Sequence, residues 1–157
     1  MRDHLLRILS VLLLCGLAIG QSPCAEAQFV TPQVIFETPE GDLVVTVEVA
    51  RTVNEQTKGL MFRTELKPDA GMIFLYDHDA DHSFWMKNTY LPLDMIYIGA
   101  DGVVVGAVEN AAPLTLTSRR IGKPSRHVLE VNAGFCRSHG VQAGTKVRYL
   151  GIPELAK

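Results

Sequence analysis

The sequence predicts a small, mostly β domain: about seven short strands and two short helices, arranged as an antiparallel barrel or a sandwich-like fold. Three observations carry this. Short apolar runs rich in Val, Ile, Tyr and Phe recur along residues 34–150. An Asp101-Gly102 pair separates two of them, a strong hairpin signal. Strands and helices do not alternate regularly, as a parallel α/β sheet would require. Closing such a sheet would protect its edges in a domain without a disulfide.

In chain order, Arg2 and Arg7 open the sequence around Asp3 and His4, an apolar run of about 12 residues covers 8–19, and Ala25-Glu26-Ala27 supplies small residues at a signal-peptidase spacing. Residues 1–27 read as a secretory signal peptide, because the run is short of the roughly 20 residues of a membrane span. An uncleaved anchor is the alternative. Export makes the domain periplasmic or extracellular, with no integral membrane segment after signal removal. Cys15 and Cys24 leave with the signal, so Cys136 is the lone thiol of residues 28–157 and is expected to be buried.

Residues 28–42 read as a leader with a first short strand at 34–37, and 43–157 as the single β domain. In 43–49, Leu43, Val45, Val47 and Val49 share one face of a strand. Thr52 and Glu55 have capping-box spacing at the start of a helix whose apolar face would be Val53, Thr57, Leu60 and Met61. Pro68-Asp69 marks a turn before a buried strand at 71–76. Residues 77–82 read as a polar turn, 93–98 and 103–108 as a hairpin, and 110–124 as a polar loop. Residues 126–131 alternate as a strand, Asn132 stands where it could cap a helix over 133–139, Gly140 ends it, and 146–150 is the last strand.

Fifteen Lys and Arg against seventeen Asp and Glu leave a net charge of −2, with no basic patch interleaved with aromatics. That composition argues against nucleic acid as a partner. Nothing in the sequence calls for a cofactor.

Three ordered segments resemble the signature of the DUF192 family (also called UPF0127), small bacterial and archaeal proteins. They are Gly59-Leu60-Met61-Phe62-Arg63 with Gly71-Met72-Ile73-Phe74; Phe84-Trp85-Met86-Lys87-Asn88-Thr89 with Leu91-Pro92-Leu93-Asp94; and Val128-Leu129-Glu130-Val131-Asn132-Ala133-Gly134 with Gly144. The chain departs from the pattern at Thr145, where the family often has an acidic residue, and at His127, often a tyrosine. The resemblance implies a compact, largely β, frequently exported domain and supplies no catalytic mechanism.

Arg63, Trp85, Lys87, Asn88, Asp94 and Glu130 are the candidate ligand-binding residues. Charged side chains beside a core need partners. In one reading Arg63 and Lys87 hold an anion or sugar-like group, Asn88 and Asp94 give directional hydrogen bonds, and Trp85 is a flat wall. The ligand is then a small molecule or an envelope polymer. In another, Asp94 or Glu130 pairs with Arg63 or Lys87 and braces the fold, making a structural interaction module. In a third, Asp94 and Glu130 form the acid/base pair of a glycan hydrolase. That chemistry needs the carboxyls facing across a cleft, about 5–5.5 Å apart for retention or 6.5–9.5 Å for inversion.

Each remaining candidate has an ordinary alternative. Cys136 at a helix start would be the best nucleophile, with His127 or His139 beside it, yet its neighbours fit plain packing. His78 and His82, with Asp77, Asp79 and Asp81, could hold a divalent metal but equally suit a surface turn, and no metal site is assigned. Met61, Met72, Met86 and Met95 fit core filling better than a Cu(I) site. Arg119, Arg120 and Lys123 read as a solvated loop that could meet anionic lipid or cell-wall polymer.

Overall fold

A computed structural model describes residues 30–155; the signal-peptide reading of 1–27 lies outside them. The elements are β1 (Gln33–Thr38), β2 (Gly41–Ala50), α1 (Val53–Lys58), β3 (Ala70–Ala80), β4 (Leu93–Ile98), β5 (Val104–Ala111), β6 (Ser125–Asn132), α2 (Phe135–His139), β7 (Lys146–Leu150) and a 3-10 turn, Pro153–Leu155. The strands form one curled sheet in the order β5-β4-β6-β3-β2-β1-β7. The predicted class, strand count and two helices are borne out.

Every pairing is antiparallel except β2 with β3. Parallel neighbours cannot be joined by a tight turn, so the chain crosses over between them, and α1 lies in that crossover. The sheet curls until its edges touch. Val103 bridges Lys146, Val104 N donates to Thr145 O at 2.9 Å, and Val147 N donates to Gly102 O at 2.7 Å.

Side chains alternate along the strands, so the middle of the sheet buries both faces. One face carries Val34, Phe36, Val45, Val47, Ile73, Ile96, Ile98, Leu129 and Val131 against Phe135 and Cys136 of α2. The other carries Met72, Phe74, Met95, Tyr97 and Val128 against Leu60 and Met86. β4 is buried along its whole length, as a strand sandwiched between two apolar layers must be. Each fully buried Ile, Leu or Phe there contributes about 1.5–3 kcal/mol.

The local signals held. Thr52 and Glu55 form the capping box. Gly102 adopts a left-handed φ of 76° in the β4–β5 turn, where Asp101 Oδ1 accepts from Val103 N. Three expectations change. α1 stops at Lys58 and buries no residue; Val53 is exposed, and Leu60 reaches the core only from beyond the helix. Residues 77–80 are not a turn but the exposed end of β3, past an irregularity in its pairing with β6. Asn132 does not cap α2. Its amide instead donates to Leu66 O and Lys67 O at 3.1 and 3.0 Å, and the helix starts from Gly134.

Candidate functional site

Glu130 lies on β6 opposite Met72 of β3 and Met95 of β4. Paired residues share a face, so its side chain enters the layer of Met72, Phe74 and Tyr97. It is 5 % exposed and has no hydrogen bond or ion pair among the described residues. Burial without a partner pushes its carboxyl up to about 8, because the low-dielectric surroundings disfavour the charged form.

A pocket of about 300 Å³ lies above that carboxyl. Phe74, Tyr76, Phe84 and Trp85 wall it, and the end of α1 forms its rim. Phe74 and Phe84 pack edge to face at 5.1 Å, and burial, followed by the nearby Glu130 carboxyl, pushes the Tyr76 hydroxyl up to about 12. Gly59 lets the rim approach. A Cβ there would meet Phe74 Cζ at 3.2 Å and Glu130 Oε2 at 3.8 Å, and its φ of 47° is left-handed.

Trp85 and Glu130 are the two predicted site residues that this pocket brings together. Lys87 is exposed and sets its ammonium over the Trp85 ring, 5.4 Å from the centroid. Asn88 takes a left-handed φ of 53°, tolerable for Asn, and its carbonyl accepts from Phe62 N at 2.8 Å. Arg63 lies away from the pocket, in a bidentate pair with Glu48 of β2. That pair holds Glu48 below the usual carboxylate range.

Asp94 overturns both roles considered for it with Glu130. It pairs with Val131, one residue along from the Met95–Glu130 pair, so the two carboxyls point to opposite faces of the sheet. They do not face across a cleft, and the geometry of a two-carboxylate glycan hydrolase is absent. Nor does either acid pair with Arg63 or Lys87. Asp94 is fully buried and accepts three backbone N–H groups: Asn110 at 2.8 Å, Gly134 at 3.1 Å and Cys136 at 2.9 Å. Gly134 has no side chain to cap α2, and Asp94 supplies that cap from another strand.

Cys136 is buried beside Asp94, and desolvation followed by the Asp94 charge pushes its thiol up to about 12, which removes it as a nucleophile. His82 stacks on Tyr76 at 3.8 Å. Among the described residues no group of three or more His, Cys, Asp or Glu side chains is arranged to hold a metal. No described helix is long and apolar enough to cross a membrane. Arg119 is half buried and ties its own loop, donating to Thr117 O and Ala112 O.

Sequence reasoning missed Tyr76 and Gly59 as site residues. Phe84 stood in a quoted motif without a role. Each was legible only as an apolar or turn position, because what matters is the carboxyl they surround.

A second cavity, of about 680 Å³, opens at the end of the sheet where β6 begins. His127 and Tyr149 line it, their rings edge to face at 6.3 Å.

A family model for DUF192, described as "Uncharacterized ACR", matches residues 35–149. Among solved structures, the chain resembles a protein of unknown function from Novosphingobium aromaticivorans DSM 12444, with 42 % identity, a TM-score of 0.71, and coverage of 74 % of this chain and 83 % of that one. It also resembles a protein from Sinorhizobium meliloti 1021 described as a "putative transcription regulator", with 36 % identity, a TM-score of 0.74, and coverage of 81 % and 99 %. No curated protein matches.

Proposed function

The chain belongs to the DUF192 family, and from that premise we propose that it is an exported small-molecule-binding domain whose ligand presents an amine or ammonium group to Glu130. One observation carries this reading: a carboxyl 5 % exposed, without a protein partner among the described residues, at the base of an aromatic pocket. A cation there would restore the carboxylate and release the proton that burial keeps on it. Phe74, Tyr76, Phe84 and Trp85 offer faces that attract cations. Lys87 already uses the Trp85 ring in this way. The positive start, apolar run and Ala25-Glu26-Ala27 of the leader support a periplasmic or extracellular location. An amine-bearing envelope polymer would present the same group.

The name borne by the Sinorhizobium protein suggests DNA as a rival partner. Paired arginines argue for the small molecule instead. Arg51, Arg63, Arg120, Arg126 and Arg148 each face a carboxylate, and a net charge of −2 leaves no positive excess to hold phosphates.

Calorimetry with butylamine and tetramethylammonium, against butanol as the uncharged control, tests the reading. Amine binding is expected with a buffer-dependent heat from the released proton, and Glu130→Gln is expected to abolish it. Butanol binding as well as butylamine, or no amine binding at all, would sink it.

A further inference from the structure

The larger cavity carries an inference independent of the Glu130 pocket; Tyr76 lines both. It lies between the ends of β3 and β4, the start of β6 and strand β7. At about 680 Å³ it is within the range of ligand sites, about 300–1,000 Å³. Two residues of its lining, His127 and Tyr149, each carry a buried polar atom with no hydrogen-bond partner among the described residues: His127 Nδ1 and the Tyr149 hydroxyl. His127 is 6 % exposed. Orphaned polar atoms of this kind destabilise the fold unless something bonds them.

The register aims both inward. His127 pairs with Leu75 and Ile98, and Tyr149 follows Val147 by two residues on β7, so both share the face that carries Ile73, Ile96 and Leu129. The same address shows what the site would take. Burial, and then the Arg126 charge, keep His127 neutral, at about 4. Burial likewise keeps the Tyr149 phenol protonated. The arginines around the cavity are already engaged: Arg51 with Glu154 at 2.6 Å, Arg126 with Asp79 at 2.7 Å, and Arg148 with Glu37 and Asp42. An anion would therefore have to break an existing pair. A neutral group that both donates and accepts meets both orphans at no such cost, and hydroxyls do this.

We propose that this cavity is a second ligand site, and that it takes a neutral polyhydroxylated molecule of the mono- or disaccharide class, hydrogen-bonded by His127 Nδ1 and the Tyr149 hydroxyl. The test is NMR titration of the full chain with D-glucose, N-acetylglucosamine and maltose, alongside inorganic phosphate, reading the His127 and Tyr149 ring resonances. At least one sugar is expected to shift both saturably, and phosphate neither. Tyr149→Phe keeps the ring and its packing and is expected to weaken that sugar about five- to tenfold, the worth of one hydrogen bond. Glu130→Gln should leave the affinity unchanged, which separates this site from the amine pocket. Should Tyr149→Phe fail to fold, His127→Asn gives the same comparison. No saturable shift with any of the sugars at about 100 mM, a dissociation constant at which binding is already negligible, would overturn the proposal, leaving water as the partner of the orphans. Phosphate competing with the sugar would overturn it too.

Discussion

Asp94 and Glu130 are two buried carboxyls on neighbouring strands, and they have opposite fates. Asp94 accepts three backbone amides and locks β4 to the end of β5 and to α2. Glu130, on the other face of the same sheet, bonds to nothing among the described residues and sits under a pocket. Burial alone therefore does not tell a brace from a binding group. The difference is in the partners, and a register offset of one residue decides it.

The largest test of that contrast is Asp94→Ala. Removing the carboxylate orphans three buried amides and should cost about 4 kcal/mol in urea unfolding. A loss below about 1 kcal/mol would break the comparison, since Asp94 would then not be a brace.

Glu130→Gln tests the other member through pH. The folded pKa of Glu130 is raised, from 4.5 to about 8. The proton it retains therefore contributes stability that is full below about 4.5 and is lost as pH rises toward 8. Wild type should lose on the order of 3 kcal/mol relative to the glutamine variant across that window. Parallel stability curves for the two proteins from pH 5 to about 8 would mean that Glu130 has a partner after all.

Gly59→Ala reaches the same pocket through the backbone. The left-handed φ and the Phe74 ring together predict a loss of about 1–2 kcal/mol, with weaker amine binding measured by calorimetry. Arg63→Ala should have the smallest effect. Its pair with Glu48 is part exposed, so thermal unfolding should register less than about 1 kcal/mol, with amine binding untouched.

What the sequence made legible was local. The capping box of Thr52 and Glu55, the Asp101-Gly102 turn and the inward face of Leu43, Val45, Val47 and Val49 each depend on residues within a few positions. Asp94, Asn132 and Arg63 were noticed but misassigned, because their partners are distant in the chain; Asn132 bonds a loop 66 residues away. Residues 77–80 misled for a different reason. A strand end that runs into solvent is as polar as a turn. His127 and Tyr149 gave no signal as a pair, since only the curl of the sheet brings β6 near β7.

α1 spans six residues and buries none of them; its capping box closes only its own first turn, and Gln56 Nε2 ties it to β3 by donating to Leu75 O. A helix that short has little stability of its own. Its amides should exchange with solvent through local fraying, orders of magnitude sooner than those of β4, which open only when the whole sheet does. The rim of the amine pocket and the strands beneath it thus run on separate clocks.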